Sequence, residues 1–407
     1  MTTAASRPLW PRRGLALLGI ILVAANLRNA VTALSPIVTE INVDIPLGAV
    51  SLGVLGMLPP VCFAVFGIFT PMITRRHGLE LPLVLALLAI LVGHFTRGLS
   101  GSITMLIIGS VIAFAGLGVG NVLLPPLVKK YFPDRIGLVT SLYATVMSLS
   151  TLVPPLIAVP VADAAGWRIS LGMWMVLALL ALVPWITMLV RHRTEQSPSP
   201  IVDEADAAIL GRLRRSSIAW AIAGVFATSS LNAYAMFAWL PQLLVETAEV
   251  TPAQAGTLLA VYASMGIPCA LIIPILTARL KNIGPLVYVG VFAFVAGDLG
   301  LLLLPATLTW LWVSLAGLGP MFFPLALVLI NLRTRTHAGA VALSSFVQGI
   351  GYTLGALGPL VFGLLHELSG GWTWPMAFLL VTAIAVLVAG AVIGRPHMLE
   401  DDLARSR

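Results

Sequence analysis

Residues 17–38 read LLGIILVAANLRNAVTALSPIV. The run is apolar and long enough to cross about 30 Å of hydrocarbon, yet it carries a charge, Arg28, near its middle. A cation at that depth costs at least about 2.5–3.5 kcal/mol on insertion scales. Guanidinium cannot escape by deprotonation, because its pKa stays above about 12. Such a residue is retained where it faces water, a partner or a substrate.

The remainder of the 407-residue chain matches that opening. It is 59% hydrophobic and 10% charged, with a mean hydropathy of +1.01, whereas soluble domains run near a quarter charged. Punctuation by charged, Gly and Pro residues divides it into twelve apolar segments: 14–38, 48–74, 80–97, 101–127, 136–162, 168–190, 217–245, 252–279, 283–304, 307–332, 338–366 and 372–394. Prolines such as Pro59, Pro60, Pro154, Pro155 and Pro324 fall inside them, which membrane helices tolerate because neighbours and water re-satisfy the freed carbonyls. Cys62 and Cys269 both lie in apolar segments and read as small buried hydrophobes, with no disulfide or metal framework.

The basic residues set the orientation. With the N-terminus inside, every Lys and Arg of the 23 falls in an inner segment except Arg28, Arg97 and Arg168. Arg97 and Arg168 are assigned to outer loops, which otherwise carry Glu40, Asp44, Asp163, Glu246, Glu249 and Glu367. The positive-inside rule then gives cytoplasmic N- and C-termini. It also explains the pI near 9.9 without nucleic acid. Arg12 and Arg13 precede an apolar run too long for a signal h-region, and it lacks a small-residue cleavage site, so the first helix is expected to be uncleaved.

A shift of 203 residues aligns Asn29 and Ala30 with Asn232 and Ala233, and Gly53 with Gly256. It also places Pro71, Thr74 and Arg76 on Pro274, Thr277 and Arg279, and Gly116 on Gly319. With a drift of two, Gly166 and Trp167 meet Gly371 and Trp372. Pro, Arg, Asn and Trp matches carry weight where Ala, Leu and Val matches would not. An all-α membrane protein follows, with twelve transmembrane helices in two pseudo-symmetric six-helix bundles. The expected divisions are an N-terminal half over 1–190, a cytoplasmic linker over 191–216, and a C-terminal half over 217–407. Parallel repeats of this kind place a substrate site between the halves near the midplane.

Over essentially its whole length the chain resembles the major facilitator superfamily. Within it, the chain resembles the cyanate / 2-nitroimidazole transporter (CynX/NimT) branch. Two strings carry the branch resemblance: Asn26-Leu27-Arg28 with Ser35-Pro36 following, and GNVLLPPLVKKYFPDRIGLVTSLY from Gly120 to Tyr143. One departure is visible. The superfamily places an acid directly before an Arg-x-Gly, whereas here Arg75 precedes Arg76-His77-Gly78, so the usual gating salt bridge is not transferred. The resemblance implies that helices 1, 4, 5, 7, 8, 10 and 11 line a central path and that 3, 6, 9 and 12 face lipid. It also implies a multi-pass protein of a bacterial cytoplasmic (inner) membrane.

On a continuous helix, Arg28, Thr32 and Ser35 share a face at i, i+4, i+7, and Asn29 flanks it. Asn121 lies in the fourth segment, and Tyr143, Met147 and Ser150 share a face of the fifth. Asn232, Tyr234 and Trp239 lie in the seventh, and Ser344, Gln348 and Tyr352 are spaced i, i+4, i+8 in the eleventh. The expected substrate-binding set is therefore Arg28, Asn29, Thr32, Asn121, Tyr143, Asn232, Tyr234, Trp239, Gln348 and Tyr352. The asparagines could equally join helices, and Trp239 could belong to an interfacial aromatic belt. A planar guanidinium fork suits carboxylate, cyanate-like or nitro acceptors. The expected function is a secondary active or facilitative transporter of a small anionic or nitro-type solute.

Coupling is less legible. Glu40, Asp298 and His94 are the candidates. Asp298 and His94 also fit interfacial positions near the outer ends of the ninth and third segments, and a co-transported proton stays open. The competing reading, an efflux carrier for neutral or cationic drugs, would favour an acid in the lining. No nucleotide-binding loop or catalytic cluster is present in the sequence, so no enzyme, cofactor or metal is expected. The expected partners are the bilayer and a small-molecule substrate, and the protein is expected to be a monomer.

Overall fold

The computed structural model describes residues 13–192, 207–280, 282–394 and 397–405. Residues 193–206 of the expected linker, and Arg7, Arg12, Arg193, Lys281, Arg395 and Arg407 of the basic set, lie outside the described residues. Twelve membrane-length helical spans follow one another: α1 (Gly14–Asp44), α2 (Ala49–His77), α3 (Glu80–Gly98), α4 (Ile103–Tyr131), α5 (Ile136–Ala165), α6 (Trp167–Val190), α7 (Ser217–Thr247), α8 (Pro252–Arg279), α9 (Gly284–Leu303), α10 (Thr309–Leu332), α11 (Ala338–Ser369) and α12 (Thr373–Ile393). Each overlaps one segment read from the sequence. A short helix, Ala207–Leu213, precedes α7, and a last helix, Leu399–Arg405, docks beside it. There Asp402 accepts hydrogen bonds from Ser216 Oγ (2.8 Å), Ser217 Oγ (3.2 Å) and the Ile218 N–H (3.3 Å). This carboxylate satisfies donors at the positive end of α7.

The spans pack closely where small residues face backbone. A Cβ on Gly93 of α3 would stand 2.4 Å from the Ala113 nitrogen of α4, and one on Gly297 of α9 would stand 2.2 Å from the Ala316 nitrogen of α10. Ala113 and Ala316 are related by the 203-residue shift, so the repeat reproduces a helix contact as well as residue letters. Lipid tails are as apolar as Leu, so packing of this kind supplies the association that water-driven burial supplies in soluble proteins.

α1 is not one continuous helix. It consists of Gly14–Asn26, Asn29–Thr32, a 3-10 turn Ser35–Ile37 and Val38–Asp44. At the first break, the Leu27 N–H reaches Ala24 O and the Val31 N–H reaches Arg28 O, one residue short of α-helical spacing. Asn26 Nδ2 donates to Leu22 O at 2.8 Å. At the second break, Pro36 has no N–H to continue the ladder. The shared face expected for Arg28, Thr32 and Ser35 is therefore interrupted, and these side chains go to different neighbours.

Spans α2, α5, α7, α8 and α11 meet across the molecule on the side away from the described chain ends. A Cβ on Gly56 of α2 would stand 2.7 Å from Pro359 Cβ of α11 and 2.8 Å from Ala238 Cβ of α7. One on Gly256 of α8 would stand 2.5 Å from Pro155 O of α5, and one on Gly363 would stand 3.0 Å from Ala49 O. Toward the side of the chain ends the same helices emerge from the packing: Ile68 and Met72 of α2, Leu138 of α5 and Leu271 of α8 are all more than half exposed. The interface is shut on the far side and splayed on the side of the chain ends.

Gly93→Val tests the α3–α4 contact. Overpacking there is expected to cost roughly 1–3 kcal/mol and to lower the thermal unfolding midpoint. Gly67→Ala, with open space around the glycine, is expected to keep or raise the midpoint, since Ala favours a helix interior over Gly.

Candidate functional site

Arg28 sits at the break in α1, with φ −124° and ψ −13°, and is half-buried. Leaving the helical ladder lets its side chain reach three other spans. Its guanidinium lies 5.2 Å from the centroid of the Phe63 ring of α2. The phenols of Tyr234 of α7 and Tyr352 of α11 are its electrostatic neighbours. Edge-on ring contacts fix Tyr352, at 6.1 Å from Phe63 and 5.2 Å from Phe226. Among the described residues, no ion pair joins Arg28 to a carboxylate. The cation is thus held by neutral phenols and ring faces alone, an arrangement that leaves its charge uncompensated.

Three other expected site residues, Asn121, Tyr143 and Gln348, are half-buried. Gln348 Nε2 donates to Ser344 Oγ at 2.7 Å. Along the helices, Gln348 lies one turn from Tyr352 toward the chain-end side. Tyr143 lies two turns from Thr151, which receives the Thr32 hydroxyl. On α4, Gly120 faces Leu27 of α1, and Asn121 is the next residue toward the chain-end side. These three therefore stand at or on the open side of the Arg28 level.

The rest of the expected set is placed elsewhere. Thr32 Oγ donates to Thr151 O of α5 at 3.0 Å. Asn232 Nδ2 bonds Thr228 O at 2.9 Å and Thr382 Oγ of α12 at 3.0 Å, because α7 turns this residue away from the face that carries Tyr234. Asn29 is fully buried, and neither amide atom has a partner among the described residues. Trp239 belongs to the far-side closure. Its Nε1 donates to Pro359 O at 2.8 Å, and its ring adjoins Phe362 and Trp372 at 6.4 and 6.2 Å.

Of the coupling candidates, Asp298 and His94 are buried and Glu40 is half-buried. Asp298 of α9 is 0% exposed, and neither carboxylate oxygen has a partner among the described residues, with Tyr262 of α8 its electrostatic neighbour. His94 of α3 is 0% exposed, with Nδ1 3.3 Å from Leu171 O of α6. Glu40 Oε2 is buried without a partner among the described residues. Spans 3 and 9, expected to face lipid, each carry an ionisable group inside the protein.

The sequence reading also missed Arg97. It was assigned to an outer loop, but it belongs to the last turn of α3 and is 1% exposed. Its Nη1 donates to Ala30 O of the broken α1 at 3.4 Å, and Phe114 lies 5.9 Å from its guanidinium carbon. Its i, i+3 spacing from His94 on one helix face was the available signal. Phe63 gave no signal, since a Phe in an apolar helix is ordinary.

The Major Facilitator Superfamily model matches residues 16–356. The chain belongs to the Major Facilitator Superfamily. The transporter YycB of Bacillus subtilis (strain 168) is 32% identical over 94% of this chain and 94% of its own length. The 2-nitroimidazole transporter of Escherichia coli (strain K12) is 31% identical over 93% and 94%. The cyanate transport protein CynX of the same organism is 24% identical over 91% and 95%. A solved structure of a bacterial homolog to the human lysosomal transporter Spinster, inward-facing and occupied, superposes with a TM-score of 0.72 at 15% identity over 94% of this chain and 96% of that one. The protein is a multi-pass membrane transporter of this superfamily, not an enzyme, and it resembles the cyanate and 2-nitroimidazole carriers.

Asn232→Ala separates packing from ligand contact. Losing the bond to Thr382 is expected to destabilise the protein by about 0.6–1 kcal/mol. The dissociation constant of any solute held at Arg28 is expected to stay unchanged. Thermal unfolding and equilibrium binding on the same preparation check both.

Proposed function

We propose that this transporter carries a small anionic or nitro-bearing solute across a bacterial inner membrane by alternating access, with Arg28 gripping the electron-rich group. The observation that carries the reading is the Arg28 cage: a cation between Phe63, Tyr234 and Tyr352, paired with no carboxylate among the described residues. A carboxylate partner would compete with an incoming anion. Phenols instead give way or join it, since each can donate to a bound acceptor. Guanidinium bonds to charged acceptors are each worth about 1.5–3 kcal/mol. The names of two relatives, a 2-nitroimidazole transporter and a cyanate transport protein, support the same solute class. A carrier of cationic drugs is disfavoured, because Arg28 would repel its cargo.

Basic residues concentrate on the side where the chain ends lie, which supports cytoplasmic termini and makes the splayed side the cytoplasmic one. The two six-span sets, 1–190 and 217–407, would then rock about the Arg28 level, with Asn121, Tyr143 and Gln348 meeting solute that enters from the open cleft. Asp298, with no hydrogen-bond partner among the described residues, is the proton carrier to test first, ahead of Glu40 and His94. A monomer suffices, because both sides of the cage come from one chain.

Proteoliposomes loaded by uptake of cyanate or 2-nitroimidazole test the proposal. Arg28→Gln is expected to weaken binding on the order of ten- to hundredfold with folding intact. Wild-type uptake by this variant would remove the anion site. An imposed pH gradient separates coupling modes: Asp298→Asn is expected to leave downhill exchange and to abolish gradient-driven accumulation. Uptake indifferent to the gradient in the parent protein would exclude obligatory proton symport.

A further inference from the structure

The geometry points to a second anion subsite on the closed side of Arg28, with Arg97 as its cation and the Ser35 and Ser110 hydroxyls as its neutral donors. A small cavity of about 30 Å³ is lined by Ser35 of α1, Arg97 of α3, Ser110 of α4 and Tyr234 of α7, among apolar residues that include Phe114. Arg97 is 1% exposed. Its hydrogen bond from Nη1 to Ala30 O is long at 3.4 Å, and Nε and Nη2 have no partner among the described residues. The hydroxyls of Ser35 and Ser110, also buried, have none either.

The chemistry of this set is one-sided. Guanidinium N–H groups can only donate, no carboxylate lines the cavity, and buried donors and charges are found satisfied. A purely structural Arg97 would spend its fork on the free carbonyls of the broken α1, yet one long bond is all that it makes there. A small monovalent anion supplies the missing charge and the missing acceptors together. A linear or planar anion of three or four heavy atoms matches the Arg fork, and cyanate, thiocyanate and nitrite are of this kind.

The placement also orders the two arginines along the path. Tyr234 lines the Arg97 cavity and is also an electrostatic neighbour of Arg28, so it forms the partition between them. Gly56 lines the same cavity and packs on Pro359 of the shut side. An anion leaving Arg28 toward the closed side passes Tyr234 and meets Arg97 before that side opens. The substrate class of this subsite rests on the anion reading of Arg28, whereas its residues do not.

Calorimetric titration of the purified full chain with sodium thiocyanate tests the subsite. The parent is expected to show two binding events, Arg97→Gln and Arg28→Gln one each, and the double variant none. Ser110→Asp keeps the test decisive if Arg97→Gln fails to fold. It supplies the carboxylate that Arg97 lacks, so it should raise the unfolding temperature and remove one binding event. A parent with a single event, lost in Arg28→Gln and kept in Arg97→Gln and Ser110→Asp, overturns the subsite and leaves the Arg28 reading standing. Loss of one event in Arg97→Gln with both kept in Arg28→Gln upholds the subsite and overturns the Arg28 reading. Two events surviving in Arg97→Gln or in Ser110→Asp overturn the subsite.

Discussion

An uncompensated guanidinium at a break in a membrane helix is the constraint around which the centre of this transporter is organised. Arg28 leaves the α1 ladder, and only from that position do Phe63 of α2, Tyr234 of α7 and Tyr352 of α11 surround it. Three spans from two ends of the sequence are thereby tied to one side chain. The ties are a ring face and two neutral phenols, which stabilise a cation without neutralising it. Stronger pairing would secure the charge but close the site to a ligand. Leaving a cation unpaired is costly, and the proposed anion site would offset that cost.

The closed side has a different chemistry. There the halves meet through glycines against backbone, at Gly56 with Pro359 and Gly256 with Pro155, and through a ring cluster around Trp239. Such contacts involve little charge and little directional bonding beyond Trp239 to Pro359 O. Small-residue surfaces can separate and re-form without stranding buried charges, which suits a seam that must open once per transport cycle. On the other side the same helices stand apart.

Much of this was legible in the sequence, for physical reasons. Twelve spans follow from hydropathy alone, since lipid exposure punishes every misplaced charge. The repeat was readable because Pro, Asn and Trp are scarce in apolar helices, and it extends to the Gly93–Ala113 and Gly297–Ala316 contacts. Arg28, Tyr234 and Tyr352 were identifiable as polar groups where polar groups are costly. Helix rotation was not identifiable: Asn232 matches Asn29 in the repeat but turns to Thr382 of α12. Nor was the break in α1, which sends Thr32 to Thr151 and Ser35 to the Arg97 cavity. Arg97 was misassigned because a hydropathy boundary is uncertain by about a turn. At such a boundary, a loop arginine and a buried one look alike.

The central claim is that Arg28 contacts the transported solute. An anomalous difference map from crystals soaked in selenocyanate measures this directly, since the selenium of this cyanate-like anion marks its own position. The account predicts a peak inside the cage of Phe63, Tyr234 and Tyr352 with the anion against the Arg28 guanidinium. Selenium bound elsewhere in the cleft, with the Arg28 guanidinium touching no anion, would contradict it.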